Sequence, residues 1–243
     1  MADLKYRTAA QTQTGTRAEI DEGLRSYMLG VYNYMALGVA FTAVVSLYVA
    51  SNQALLQAAY SGRWILFIAV LGLGWFSPRL MFGKSVAVAH AAYWVYAGVW
   101  GLAIAPWIAV YMGLDGGQLI VRALGITAIT FGSMSLLGYV TKKDLGGIGS
   151  FAAMSTIGLV IAIIVNAIFF QSTLFSFATS AFVVLAFSAI TAWETQIIKQ
   201  MYVAGETGTT AKQKSIFGAF MLYGSFVTMF IHILNMLGIM SGD

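Results

Sequence analysis

The sequence predicts an all-α membrane protein, a bundle of seven transmembrane helices, and three observations predict it. Only 9% of the 243 residues are charged and 59% are hydrophobic, whereas an average soluble domain is about 25% charged. The ionised residues leave long gaps: 37 residues between Arg25 and Arg63, 30 between Lys84 and Asp115, 19 between Arg122 and Lys142, 49 between Asp144 and Glu194, and 28 from Ser215 to Gly242. When the gaps are joined in order, the basic residues fall almost entirely on one side. So few charges cannot clothe a soluble domain, and so apolar a chain is not intrinsically disordered. The absence of cysteine excludes disulfide frameworks, cysteine nucleophiles and thiolate metal sites. The net charge of +4 comes from basic residues spread along the chain, not from the clustered patch that nucleic acid requires.

About 20 apolar residues at 1.5 Å rise cross the hydrocarbon core, which gives spans at 27–50, 64–82, 86–112, 120–140, 150–170, 174–198 and 216–240. The polar start, Met1 to Glu22, is rich in Thr, Gln and Ala, and residues 1–25 read as a flexible tail ahead of a seven-helix domain, 26–243. The first span follows too long a polar segment, and is itself too long, to be a signal peptide. In the second, Arg79 can snorkel to the interface and Pro78 marks the helix end; Pro106 is expected to kink the third. The 49-residue gap crosses twice, broken at Phe170-Gln171-Ser172-Thr173. Apolar residues run all round each segment, which favours helices over barrel strands.

With seven spans, Lys5, Arg7, Arg17, Arg25, Arg79, Lys84, Lys142, Lys143, Lys199, Lys212 and Lys214 share one side; Arg63 and Arg122 lie on the other. The positive-inside rule places the first side, and the N-terminus, in the cytoplasm.

Polar groups inside the spans are the candidate functional residues. Ser225, Thr228, His232 and Asn235, at spacings of 3, 4 and 3, share one face of the last helix. Such a stripe faces protein or water, either as interhelical hydrogen bonds or as a path for ions or protons. Glu194 is the one acidic residue within any span, a candidate proton-exchanging group with Arg79 as its expected partner. His90 and His232 stand alone, and no metal site is expected. No nucleophile–base pair or phosphate loop is visible, so no enzyme and no cofactor are expected. The last span has no lysine for a retinal Schiff base.

Gly138-Tyr139-Val140-Thr141-Lys142-Lys143-Asp144-Leu145, Thr191-Ala192-Trp193-Glu194-Thr195-Gln196-Ile197-Ile198-Lys199 and the last span from Gly218-Ala219 through Leu222-Tyr223 to Leu237-Gly238 resemble the Bax inhibitor-1 family, in its bacterial YccA-like branch. The resemblance covers roughly residues 25 to 240. It implies a bundle with the last helix near the centre, surrounded by the other six, in a bacterial inner membrane. It also implies a pH-sensitive calcium or proton leak with a role in ion homeostasis and stress response; the alternative is a non-conducting modulator of a membrane-bound AAA protease, with the tail as handle. Two facing carboxylates carry the leak in the family. The first falls on Glu194, but the second falls on Ser225, and the family's following asparagine on Thr228. One carboxylate facing a hydroxyl lacks the shared proton of a pair, and is thin provision for calcium, which takes several charged oxygens.

Overall fold

The computed structural model describes residues 17–83 and 85–242, and these form helices with no strand among them. In order they are α1 (Arg17–Ser51), α2 (Gln53–Ser61), α3 (Arg63–Gly83), α4 (Val86–Asp115), α5 (Gln118–Val140), α6 (Gly146–Val165, continued by a π turn, Asn166–Phe170), α7 (Thr173–Met201) and α8 (Thr209–Ser241). Seven of them, all but α2, are long and apolar enough to span a bilayer. Helix is the expected outcome there, because hydrocarbon offers no partner to a free N–H or C=O.

All seven spans coincide with the segments inferred from sequence, and most helices extend past the inferred segment at one or both ends. Residues 1–16 of the expected tail, with Lys5 and Arg7, lie outside the described residues, as does Lys84. Residues 17–25, read as tail, are already helical and belong to α1. Pro78 does not end the second span: α3 continues to Gly83. Pro106 likewise lies within a continuous α4. The connection between the first two spans contains a further short helix, α2, started by Asn52, whose side chain accepts from the Leu55 N–H at 3.1 Å.

The turns follow from local chemistry. α4 and α5 are joined by Gly116 and Gly117, both left-handed (φ 69° and 86°). The Asp115 carboxylate accepts from the Gly117 and Leu119 N–H groups at 2.9 and 2.7 Å and so starts α5. At the predicted break, Gln171 is left-handed (φ 47°) and Ser172 caps α7 through the Phe175 N–H.

α8 lies at the centre. Some 67% of its spanning window is buried, against 33% or less in the other spans, and it packs against α1, α3, α4, α5 and α7. One expectation needs correction: α6 is not part of the surrounding ring. It packs chiefly against α7, and none of its spanning window is buried. Tyr93 and Tyr96 of α4 and Tyr223 of α8 form an edge-to-face cluster with centroids 5.8 Å apart at its two contacts with Tyr223, a favoured aromatic geometry.

Two close approaches fix α7. A Cβ on Gly138 of α5 would overlap the backbone carbonyl of Ala192, and one on Gly149 of α6 would overlap the Trp193 ring. Gly138→Ala should therefore destabilise the protein by about 1–3 kcal/mol, the usual cost of overpacking. Gly125→Ala, on the same helix but facing open space, should be neutral or gain up to about 1 kcal/mol. Thermal unfolding of both variants in detergent micelles checks the contrast.

Candidate functional site

The last third of α7 carries an unusual density of buried polar side chains. Thr191 and Thr195 are fully buried, and Glu194 and Gln196 nearly so. Uncompensated, each would be costly in hydrocarbon, and each sends its polar atoms to a different neighbour.

Glu194 reaches α8. The Ser225 hydroxyl, itself buried, donates to Glu194 Oε2 at 2.7 Å. The two positions singled out by sequence are thus in direct contact. Arg79 is not with them: it is exposed, and the one ion pair among the described residues is Lys214–Glu206 at 2.7 Å. Helical spacing explains the miss. Ser77 and Met81, one turn apart, are the buried residues of that stretch, and Arg79 between them projects from the opposite face.

Thr195 reaches α5 and α1. Its Oγ1–H is donated to the Thr191 carbonyl at 2.9 Å, so the hydrogen in its 2.9 Å bond with Ser135 comes from Ser135. The Ser135 hydroxyl in turn takes its hydrogen from the Tyr32 hydroxyl. A one-way chain therefore runs from α1 through α5 to α7. Gln196 clamps the 141–145 connection: its Nε2 donates to the Lys143 carbonyl at 2.8 Å and its Oε1 accepts from the Leu145 N–H at 2.9 Å. One turn on, Lys199 Nζ donates to the Tyr139 carbonyl at 2.8 Å and lies 5.0 Å from that ring's centroid.

The polar stripe of α8 faces α7 for most of its length. Beyond Ser225, His232 Nδ1 is 3.0 Å from Ser180 Oγ, and Asn235 Nδ2 donates to Ser176 Oγ at 3.2 Å. Thr228 instead bonds its own helix, donating to the Gly224 carbonyl at 2.8 Å. Of the two readings of the stripe, interhelical hydrogen bonding is what the geometry displays. His90 lies against Tyr34, with ring centroids 5.6 Å apart. Among the described residues no three His, Cys, Asp or Glu side chains converge as metal ligands.

Sequence reading missed the recipients of these bonds. Ser176 and Ser180 repeat at four residues, matching Asn235 and His232 on the antiparallel helix. Thr191, Thr195 and Lys199 also repeat at four. That periodicity on α7 was the available signal.

Residues 24–242 match the family described as inhibitor of apoptosis-promoting Bax1. The chain belongs to the Bax inhibitor-1 family. Among individual relatives, it is 37% identical to an uncharacterised protein of Rickettsia prowazekii over 95% of this chain and 97% of that one. It is 34% identical to an uncharacterised protein of Deinococcus radiodurans, over 93% and 94%. It is 33% identical to the Escherichia coli inner membrane protein YbhL, over 89% and 92%. In this member of the Bax inhibitor-1 family, the α7–α8 contact is a carboxylate bonded by a hydroxyl.

Leaving a buried carboxylate without its donor costs about 1–3 kcal/mol. Ser225→Ala should destabilise the protein by that amount, and by much less when introduced into Glu194→Leu. Denaturation of the four proteins of this cycle in micelles measures the coupling; equal losses in both backgrounds would mean that the bond contributes nothing.

Proposed function

We propose that the chain is a multi-pass protein of a bacterial inner membrane that passes protons or calcium in a pH-dependent manner, with Glu194 as the proton-exchanging group and no catalytic activity. The observation that carries this reading is the Glu194–Ser225 contact at the α7–α8 seam. A lone carboxylate held inside a membrane bundle, bonded to a hydroxyl rather than pinned by a cation, can change charge with the surrounding pH. Intramembrane ionisable groups of this kind mark ion and proton pathways. With one carboxylate and one hydroxyl, the site suits proton exchange better than residence of calcium, which takes 6–8 oxygen ligands. The similarity to YbhL, described as an inner membrane protein, supports the location. The eleven basic residues on the N-terminal side support a cytoplasmic N-terminus.

Reconstituted into liposomes, the wild-type protein is expected to pass protons or calcium at a rate that varies between about pH 5 and 8, the interval in which physiological proton switches work. Glu194→Gln should remove that variation while leaving the fold intact by circular dichroism. A wild-type protein that passes neither ion across the whole interval would falsify the leak reading.

Orientation is tested separately, because a chain without cysteine accepts single reporters. Ser61→Cys and Thr207→Cys place thiols at exposed positions at opposite ends of the bundle. In intact cells a membrane-impermeant maleimide should reach Cys at position 61 and spare that at 207; the reverse pattern overturns the assignment.

A further inference from the structure

We propose that the groove between α6 and α7 binds one acyl chain of an anionic phospholipid of the phosphatidylglycerol type, whose phosphate is held by Lys142 and Lys143. The groove encloses about 440 Å³ and opens outward from the bundle. Small residues make the room: Ala152 and Gly158 of α6 and Ala186 and Ala189 of α7, with Phe151 and Phe182 also lining it. Its lining hydroxyl, Ser155, is turned into its own helix, donating to the Phe151 carbonyl at 2.9 Å. The surface offered is therefore apolar. From Ile148 to Leu159 it runs about 16 Å at the helical rise, half of the roughly 30 Å hydrocarbon core. That is the length of one leaflet, and so of one lipid tail.

Charge at one end selects the head group. Lys142 and Lys143 are exposed in the short connection that leads directly into α6. Neither ammonium group makes an ion pair or hydrogen bond among the described residues. Asp144, their acidic neighbour, turns Oδ1 to the Gly146 N–H at 2.8 Å. The connection is also rigid, because the buried Gln196 side chain bonds both the Lys143 carbonyl and the Leu145 N–H. Two lysines are thus carried on a braced connection that enters α6 just ahead of Ile148, where the apolar slot begins, the complement of a phosphate above an acyl chain. The peripheral position of α6, which packs chiefly against α7, leaves this slot open to lipid.

Native mass spectrometry of the full chain, released from bilayers of equal phosphatidylglycerol and phosphatidylethanolamine with matched acyl chains, tests the assignment. The wild-type protein should retain phosphatidylglycerol in preference by up to about thirtyfold, the contribution expected of two lysines at a membrane surface at about 1 kcal/mol each. Lys142→Gln/Lys143→Gln should reduce that preference to near unity with an unchanged melting temperature. Gly158→Trp, whose side chain enters open space and fills the slot, should lose both lipids there. Equal retention of the two lipids by the wild-type protein overturns the proposal, as does phosphatidylglycerol retention that survives both variants. A dimeric mass that Gly158→Trp alone dissolves would assign the groove to a second copy instead. Should the tryptophan variant fail to fold, the dilysine variant decides.

Discussion

The constraint on which this structure depends is that hydrocarbon cannot solvate a polar group, so polar side chains in the spans are driven to find partners inside the bundle. Among the described residues, Tyr27, Ser77 and Trp100 keep a buried polar atom without a hydrogen bond. α7 carries the heaviest load of such groups near its C-terminal end. Glu194, Thr195 and Gln196 are consecutive, so their side chains leave the helix in different directions and reach α8, α5 and the 141–145 connection, while Lys199, one turn beyond Thr195, makes a second contact with α5. Polarity that would be a liability in lipid therefore becomes the brace that joins α7 to α8, to α5, and to the connection leading into α6. Close backbone approach at Gly138 and Gly149 brings these elements near enough for short side chains to meet.

The same matching on the opposite side of α8 produces a different kind of joint. Thr42 donates to the Ala97 carbonyl at 2.9 Å, so the 2.6 Å bond between Thr42 and Tyr223 takes its hydrogen from the tyrosine. That bond ties α8 to α1 and, through the carbonyl, to α4. Tyr93 adds a second tie, donating to the Tyr34 carbonyl of α1 at 2.7 Å. These joints are built of hydroxyls and carbonyls that keep their protonation at any physiological pH. The Glu194–Ser225 joint is built on a carboxylate. The central helix is thus held on one side by hydroxyl–carbonyl contacts and on the other by one built on a carboxylate, which on the proposed reading is the contact that responds to pH.

Much of this was legible in the sequence, for identifiable reasons. Span positions depend on where charges are missing, which is a one-dimensional property, so Arg25, Arg63 and Lys142 mark boundaries without reference to packing. The Glu194–Ser225 contact was reachable from the family motif, and the α8 stripe from its spacing. Arg79 does not meet Glu194 because equal depth in the membrane does not imply proximity; the helical face decides, and Ser77 and Met81 hold the buried face. Pro78 failed because a helix in a bundle can tolerate a proline within a turn or two of its end. The peripheral place of α6 was hidden because its apolar residues run all round the helix; nothing in a uniformly apolar sequence distinguishes a lipid neighbour from a protein neighbour.

The hydroxyl opposite Glu194 also decides what kind of switch the seam can be. Two carboxylates in contact repel when both ionise, so loss of a proton drives the helices apart. A serine makes no such demand. It donates to the ionised carboxylate, and with the carboxylic acid it can accept instead, so the contact survives in either state with its direction reversed. On the proposed reading, protonation here changes the charge that an ion meets at the seam rather than breaking the seam itself. Such a site grades passage by electrostatics while α7 stays in place, and a helix bonded through Thr195, Gln196 and Lys199 is built to stay.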